Sequence, residues 1–284
     1  MVATGVVGLG NMGSVLAANL VAAGHEVVTH DVAGRARNPA GATFADTVAD
    51  VAGQTDVIVC SLPDGEASEA VARIIATAPD RRAAHVVDTS TIGVAAARAA
   101  HDTLAAAGIG YVDAPVSGGV AGARARTLVV MYAGADEDCA AVAAVLAGLS
   151  DRRHRVGTRP GLGQALKLAN NFLSATALAA TSEAVAFGVS VGLDVATMLD
   201  VLNASSGQST ASSDKFPNHV VTGRYAAGFT NSLMVKDLEL YLASVQAQGS
   251  PSQVGRAAAD VWERFAADQP GADFTRIYPF VEGS

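Results

Sequence analysis

The chain has 284 residues, half of them apolar, and a formal net charge of −8. This length exceeds that of one average domain and predicts two, with ample apolar residues for a core in each. The acidic balance, without any long basic run, argues against a nucleic-acid partner.

Cysteine usage and targeting signals bear on the compartment. Cys60 and Cys139 fall in different predicted elements, so no disulfide framework is expected. The chain starts directly with a strand-like run, without the charged and apolar regions of a leader peptide. No uninterrupted apolar span reaches about 20 residues, so no membrane crossing is expected. These features predict a cytoplasmic protein without a membrane partner.

A glycine-rich turn follows the first predicted strand, Thr4–Val7. The turn is Gly8-Leu-Gly10-Asn-Met-Gly13; a helical pattern and a second strand follow, and that strand ends at Asp31. Strand, glycine turn, helix, strand and acid in this order form a dinucleotide-binding fingerprint. Gly8 would permit the tight turn, Gly10 the close approach of a pyrophosphate, and Gly13 close packing of helix on strand. The diphosphate would lie at the helix N-terminus, where free N–H groups favour an anion.

Asp31 favours NAD over NADP as the cofactor. A carboxylate at the end of the second strand can accept both ribose hydroxyls and repel a 2′-phosphate. Arg35 and Arg37 follow closely, and either could instead reach a 2′-phosphate. NAD is therefore expected, with NADP as the alternative.

The β/α alternation continues through the first half of the chain. Further strands are predicted at 57–60, 85–88, 111–113 and 128–132, with helices between the earlier ones. Such alternation predicts a doubly wound, mainly parallel sheet that binds ligands at the carboxyl ends of its strands. Leu62, Pro63 and Thr91 follow two of these strands and are candidates by position, although each is equally an ordinary loop residue.

The glycine pair of Ser117-Gly118-Gly119 is a second candidate. Adjacent glycines allow backbone N–H groups to point toward an anion, with a hydroxyl beside them. A flexible turn without a ligand is the alternative interpretation of these three residues.

Helical patterns replace the β/α alternation after residue 160. The basic segment 151–160 is predicted to be a solvated approach to a domain boundary. Helices are then expected at 162–187, 194–204, 233–248 and 251–267, with loops at 216–217 and 223–228. The sequence therefore predicts an α/β fold: an N-terminal Rossmann-type doubly wound parallel sheet over 1–160 and an all-helical domain over 161–284. The long first helix would join the two domains.

That long helix has a polar stripe on an otherwise apolar surface. The stripe consists of Gln164, Lys167, Asn170, Asn171, Ser174 and Thr181. A helix that is apolar on most sides is buried, so its stripe must face something polar. Lys167 is either a lysine that extends to the surface or a buried lysine used in chemistry. The Lys236-Asp237 pair, taken alone, is more typical of a helix surface. The six histidines show neither metal-ligand spacing nor a Ser–His–Asp arrangement.

Four motifs in this order resemble the β-hydroxyacid dehydrogenase family. They are Gly8-Leu-Gly-Asn-Met-Gly13, Asp113-Ala-Pro-Val-Ser-Gly-Gly119, Gly161-Leu-Gly-Gln-Ala-Leu-Lys-Leu-Ala-Asn-Asn171 and Lys236-Asp237. The resemblance implies that Lys167 is catalytic, that Asn171 helps to hold the substrate, and that Ser117, Gly118 and Gly119 bind its carboxylate. With the fingerprint, it implies cofactor contacts from Gly8, Gly10, Asn11, Met12, Gly13, Asp31, Leu62, Pro63, Thr91 and Lys236. Arg126 departs from the family, which usually has glycine there.

The implied reaction is hydride transfer between nicotinamide and a small 3-hydroxy acid, similar to 3-hydroxyisobutyrate, or its semialdehyde. Lys167 would be the general acid and base. A free lysine has a pKa of about 10.4 and is a poor base at neutral pH, and burial in an apolar cleft near Lys236 would lower that pKa. The expected partners are a small carboxylate substrate and further copies of the chain in a homodimer or homotetramer.

Three alternatives share parts of this pattern. Imine reductases resemble the chain in architecture but generally carry Asp or Tyr in place of Lys167. A short 6-phosphogluconate dehydrogenase would have His ahead of the catalytic lysine, where this chain has Gln164 three residues before it. A non-catalytic NAD(P)-binding module would not need the lysine.

Residues 205–216 and those near Phe229 are expected to complete the substrate pocket.

Overall fold

The structure is a computed structural model that describes residues 2–283. The chain divides into two compact units, Met1–Lys167 and Leu168–Ser284. The division lies inside the helix Leu162–Ser190, a few residues beyond the boundary predicted after residue 160. Because this helix runs continuously through the division, no loop marks it in the sequence.

Within the described residues, nine strands form one sheet in the first unit. They are β1 (Ala3–Val7), β2 (Glu26–His30), β3 (Thr43–Phe44), β4 (Val57–Cys60), β5 (His85–Asp88), β6 (Gly110–Asp113), β7 (Val116–Ser117), β8 (Val129–Ala133) and β9 (Arg152–Gly157). The strand order is β3-β2-β1-β4-β5-β6-β8-β7, and β9 pairs with β8. Neighbours from β3 to β6 are parallel, whereas β8 is antiparallel to β6 and β7. The predicted doubly wound, mainly parallel sheet is confirmed.

Helices cover both faces of this sheet. They are α1 (Gly13–Ala22), α2 (Val48–Gln54), α3 (Gly65–Thr77), α4 (Val94–Ala105), α5 (Gly119–Arg124), α6 (Asp136–Ala141) and α7 (Ala143–Leu149). Strand β4 shows how one strand serves two cores: Val57 and Val59 join one apolar cluster, and Ile58 joins the other. Since successive side chains of a strand point to opposite faces, both faces are dry and the strand is a continuous apolar run.

The basic segment 151–160, predicted as a solvated approach to the domain boundary, contains a strand that the sequence did not predict. Residues Arg152–Gly157 form β9, which runs parallel to β8. The side chains of residues 152–155 are exposed, because β9 lies at the edge of the sheet. Charged side chains at such an edge discourage pairing with other chains. The strand was missed because it lacks the apolar residues that signal a buried one.

The second unit is helical. Helix α8 (Leu162–Ser190) enters it and is followed by α9 (Val195–Asn203), α10 (Asn231–Ala247), α11 (Gln253–Asp268) and α12 (Ile277–Glu282). Contrary to the expected loop at 216–217, the stretch Ala211–Val220 is a π-helix that contains Pro217. Phe216 in this stretch is fully buried, so packing into the core overrides the break that proline predicts.

An aromatic cluster forms the core of this second unit. Trp262 is fully buried, and its ring lies 5.9 Å from that of Phe265 and 6.3 Å from that of Phe274. The indole N–H donates to the carbonyl of Ala175 on α8 at 3.2 Å. Burial of a tryptophan stabilises a core when its N–H has a partner, so this bond fixes α8 against the cluster.

Helix α8 is apolar enough, with a mean hydropathy of 1.4, to meet the length and composition of a membrane-spanning helix. This differs from the prediction, made from the sequence, of no membrane-spanning segment. A core helix satisfies the same criterion, and Ala175, Leu178 and Val185 of α8 belong to the core of the second unit. Leu173 and Phe187 are exposed and lie fourteen residues apart on one side of the helix. The homodimer or homotetramer expected from the sequence stays a prediction.

The N-terminus of α8 is attached to the end of β6. The carboxylate of Asp113 accepts the backbone N–H of Gln164 at 2.9 Å, so it caps the helix from a distant part of the sequence. A Cβ atom at Gly163 would lie 2.7 Å from this carboxylate and 2.6 Å from the carbonyl of Met131. Gly161 has φ +90°, which favours glycine. The glycines of this motif therefore allow the close approach that the cap requires.

Burial raises the pKa of Asp113 to about 6, against the lowering effect of the N–H groups of Gln164 and Gly161; the charge of Asp88 adds to the increase. An unfolded aspartate has a pKa of about 3.9. At a pH between these two pKa values, Asp113 binds a proton in the folded chain that it lacks in the unfolded chain. The contribution of this group to stability is therefore fully present below about pH 4 and is lost as the pH rises through about 6.

We expect Asp113→Asn to remove this pH dependence, because an amide does not titrate. The free energy of unfolding of the wild type, relative to the variant, should fall by up to about 3 kcal/mol between pH 4 and pH 7. Urea unfolding of both proteins at the two pH values measures this change, with Asp46→Asn at an exposed position as the control. An equal difference between wild type and Asp113→Asn at both pH values would contradict the prediction.

Candidate active site

The three glycines of the β1–α1 loop meet different geometric requirements. Gly8 has φ +93°, and a Cβ atom there would overlap the carbonyl of Ser61. A Cβ atom at Gly13 would overlap the carbonyl of Gly8, because the helix starts directly against the turn. Gly10 has no heavy atom within 4 Å of such a Cβ position, so it faces open space. These are a tight turn, a close packing contact and a free approach for a ligand, as a dinucleotide fingerprint requires.

The backbone N–H groups of this loop leave room for an anion. Within residues 2–283, the amides of Asn11, Met12 and Gly13 donate to no protein acceptor. They lie at the N-terminus of α1, where the helix dipole also favours negative charge. The loop therefore fits the diphosphate of a dinucleotide.

Asp31 lies directly after β2 and holds the glycine loop. Its carboxylate accepts the N–H of Leu9 at 2.5 Å and that of Ala33 at 2.7 Å. The two nearby arginines differ in placement. Arg37 donates to the side-chain oxygen of Asn11 at 3.1 Å, whereas the guanidinium of Arg35 lies over the ring of Phe44 at 5.6 Å. Of the two arginines, Arg37 is therefore the one that reaches the glycine loop. Its expected effect on cofactor preference is opposite to that of Asp31.

The loops after β4 and β5 are bonded to each other. The N–H of Leu62 donates to the hydroxyl of Ser90 at 2.8 Å, and the hydroxyl of Thr89 donates to the carbonyl of Cys60 at 2.7 Å. Pro63 and Thr91, which the sequence analysis singled out, follow in these loops. All lie at the carboxyl edge of the parallel sheet. Ser90 was missed, since a single serine in a loop carries no sequence signal.

A row of buried titratable groups ends these strands. Cys60, Asp88 and Asp113 are paired in register across β4, β5 and β6. Burial raises the pKa of the Cys60 thiol and of the Asp88 carboxyl, and the charge of Asp88 adds to the effect on Cys60. A thiol with a raised pKa is a poor nucleophile, so Cys60 is a packing residue rather than a reactive one.

The Ser117-Gly118-Gly119 segment joins β7 to α5. Gly118 has φ +127° and Gly119 φ +65°, so consecutive residues adopt conformations that favour glycine. A Cβ atom at Gly118 would lie 3.2 Å from Leu128, whereas Gly119 has no heavy atom within 4 Å of that position. The open space beside Gly119 leaves its backbone accessible to a small anion.

Arg126 occupies a position with φ +56°. This left-handed conformation costs a residue with a side chain about 1 kcal/mol or more, which is the physical reason why glycine suits the position. The Arg126 guanidinium donates to the carbonyl of Ala147 at 3.1 Å, and this bond offsets part of the strain. The departure therefore changes the anchoring of the loop after α5.

Lys167 and Asn171 occupy one face of α8. Only 8% of the Lys167 surface and 7% of the Asn171 surface are exposed. Lys167 is therefore a buried lysine, and the alternative of a side chain that extends to the surface is wrong. It follows Gln164 by three residues, so both lie on the same side of the helix.

In the second unit, Asp237 connects α10 to α8. Its carboxylate accepts the amide N–H of Asn171 at 2.5 Å and lies 3.2 Å from the amine of Lys236. The side chain of Asn170 donates to the other end of the Asn171 amide at 3.1 Å. Asp237 is buried, so Lys236-Asp237 is not a surface pair. Asp237 was missed as a site residue, although its place after Lys236 was the available signal.

A cleft of about 370 Å³ also lies in the second unit. Ser209, Thr210 and Lys215 line it from the segment expected to contribute to the substrate pocket, and Asn170 and Ser174 line it from α8. Phe229 packs edge-on against Phe274 at 5.8 Å instead. Asn170 and Ser174 both belong to the polar stripe of α8.

Comparisons with known proteins find a family model for each part of the chain. Residues 3–157 match the model described as the NAD binding domain of 6-phosphogluconate dehydrogenase. Residues 161–281 match that described as NAD-binding of NADP-dependent 3-hydroxyisobutyrate dehydrogenase.

Relatives match over nearly the whole chain. The 3-hydroxyisobutyrate dehydrogenase of Pseudomonas aeruginosa is 35% identical, with 97% of each chain covered. A probable 3-hydroxyisobutyrate dehydrogenase of Mycobacterium bovis is 34% identical, with 95% of this chain and 94% of the relative covered. The solved structure of Mycobacterium tuberculosis 3-hydroxyisobutyrate dehydrogenase with L-serine has a TM-score of 0.91 and 32% identity, with 99% of each chain covered. The chain therefore belongs to the β-hydroxyacid dehydrogenase family of nicotinamide-dependent oxidoreductases.

Proposed function

We propose that this protein transfers a hydride between NAD and a small 3-hydroxy acid, 3-hydroxyisobutyrate or a close analogue, or the corresponding semialdehyde. The observation that carries the proposal is that Lys167 is a buried lysine on a helix attached to the sheet edge that carries the glycine loop. The relatives named as 3-hydroxyisobutyrate dehydrogenases support the substrate class.

The substrate carboxylate would be anchored at Ser117-Gly118-Gly119. A carboxylate accepts from several donors at once, and a hydroxyl with two glycine N–H groups provides them. Anchoring away from the reacting carbon fixes which hydrogen faces the nicotinamide, and this orientation accounts for much of the rate of such reactions.

Lys167 would move the proton. The nicotinamide, when bound, supplies or accepts the hydride. Removal of hydride from an alcohol is easier when its proton leaves, so the neutral amine would accept the hydroxyl proton during oxidation. In the reverse direction the ammonium would donate to the forming alkoxide. Asn171 lies one turn further along α8, and its amide is held by Asp237 and Asn170, so it would orient the same hydroxyl.

The alternatives fit less well. A non-catalytic nucleotide-binding module would not need a lysine at this buried position of α8. An imine reductase of this architecture would carry Asp or Tyr at position 167, whereas this chain has Lys.

Lys167→Ala should lower kcat for oxidation of 3-hydroxyisobutyrate by at least about 100-fold, since general acid–base catalysis contributes that much. Affinity for NADH, measured by fluorescence titration, should change little. Addition of a small primary amine should restore part of kcat in the variant and none in the wild type. A variant that keeps a kcat near that of wild type would exclude Lys167 as the acid and base.

The cofactor preference depends on the balance between Asp31 and Arg37. We expect kcat/KM with NAD to exceed kcat/KM with NADP. The ratio of these two values should be smaller in Asp31→Ser and larger in Arg37→Ala than in the wild type. The ratio is the readout because Asp31 also holds the glycine loop, so its loss affects both cofactors. A preference of the wild type for NADP would show that Arg37 prevails.

The carboxylate anchor predicts discrimination between an acid and its ester. Kcat/KM for the 3-hydroxy acid should exceed that for its methyl ester by at least about 100-fold, because the anchor is left unpaired by the ester. Ser117→Ala should raise KM for the acid about tenfold, the effect of one hydrogen bond to a charged group. This change is cleaner than a substitution at Gly119, where φ +65° strains any side chain. Equal kcat/KM for acid and ester would rule out the anchor.

A further inference from the structure

Gln164 is fully buried, and its side chain is enclosed by the loop after β5. The amide oxygen accepts the N–H of Ile92 at 3.0 Å and that of Gly93 at 3.2 Å. The amide nitrogen donates to the carbonyl of Ser90 at 2.9 Å. These three bonds lie on both sides of Thr91 in the sequence, so one side chain fixes the course of the whole loop.

A primary amide of this length satisfies the loop at every pH. Two N–H donors and one carbonyl acceptor face the side chain, and glutamine offers the matching acceptor and donor at its end. A carboxylate would lack the donor, and an apolar side chain would leave three buried groups unpaired. The chemistry of the loop therefore also fixes the orientation of the amide.

The same loop is connected to the other loops at the carboxyl edge of the sheet. Ser90 accepts the N–H of Leu62, as described above, and Gly8 lies against the carbonyl of Ser61. Ligands of doubly wound sheets bind at this edge. Gln164 thus joins the edge that receives the dinucleotide to the first turn of α8, and Lys167 follows about 4.5 Å further along the helix axis.

We propose that Gln164 is a positioning residue that sets the distance between the nicotinamide-side loops and the amine of Lys167. This inference rests on the proposed function. Hydride transfer and proton transfer occur at neighbouring atoms of one substrate, so the two groups that serve them must be held in a fixed relation. A misplacement of about 1 Å can lower such a rate about 100-fold. Gln164 contacts neither proton nor hydride and acts through the loop and the helix.

The test compares two substitutions with a matched control. Gln164→Met keeps the length of the side chain and removes all three bonds. Gln164→Glu keeps the acceptor and loses the donor until the carboxyl is protonated. Asn231→Leu is the control, because Asn231 is a fully buried amide whose side chain donates to Gln269, outside the candidate site.

In Gln164→Met we expect kcat for 3-hydroxyisobutyrate to fall at least about tenfold, with KM and NADH affinity within about threefold of wild type. The amides of Ile92 and Gly93 should exchange hydrogen faster in the free protein, as mass spectrometry of that peptide measures. In Gln164→Glu, the ratio of kcat to that of wild type should rise as the pH falls, because a protonated carboxyl again donates to Ser90. Asn231→Leu should lower the thermal midpoint without these changes.

Several results would overturn the proposal. One is a kcat of Gln164→Met within threefold of wild type, or a defect of this variant that is confined to KM or NADH affinity. Another is an equal loss of kcat in Asn231→Leu. A third is hydrogen exchange at Ile92 and Gly93 of Gln164→Met that is unchanged from wild type. A kcat ratio of Gln164→Glu that does not depend on pH would do the same. If the wild type oxidises no hydroxy acid, the proposed function fails and this proposal fails with it. If the wild type is active and the Gln164 variants are equally active, this proposal alone fails.

Discussion

The attachment of α8 to the ends of β5 and β6 is the constraint on which the candidate site depends. Asp113 accepts the N–H of Gln164, and the side chain of Gln164 bonds the loop after β5. All these groups are buried, where an unpaired polar group costs about 1–3 kcal/mol. A shift of α8 by one residue would leave several of them unpaired. The helix that carries Lys167 is therefore held in one register on the sheet.

Several residues of the first unit serve the fold and the candidate site together. Asp31 accepts the N–H of Leu9 and so ties the end of β2 to the glycine loop, next to the N-terminus of α1. Gly13 allows α1 to start directly against the turn, where its free N–H groups fit an anion. Because the fold itself depends on these residues, a substitution there would lower stability as well as change the candidate site.

The second unit makes a comparable use of one buried carboxylate. Asp237 is partnered by the amide of Asn171 and the amine of Lys236. A buried charge is tolerated only with such partners, so the side chains of Asp237, Asn171 and Lys236 depend on one another. Asn170 and Asn171 of the polar stripe therefore have hydrogen-bond partners inside the second unit.

The sequence by itself determined the β/α alternation, the glycine fingerprint and the helical second half, because each depends on periodicity and on residues that are neighbours in the chain. It also made Lys167 a candidate, because the lysine lies in a polar stripe with a 3.6-residue period and in a motif that resembles the family. It did not identify β9, whose charged residues resemble a loop, or the π-helix around Pro217, which depends on the burial of Phe216.

Only the tertiary structure decided the parts played by Asp113, Gln164 and Asp237. The partners of Gln164 lie between 51 and 74 residues away in the sequence, and Asp237 bonds a residue 66 positions away. Local patterns report which face of an element is apolar, but a hydrogen bond depends on where folding places two distant groups. An aspartate that caps a distant helix has the same local sequence as one that faces solvent, so these roles follow from the packing of the sheet and helices.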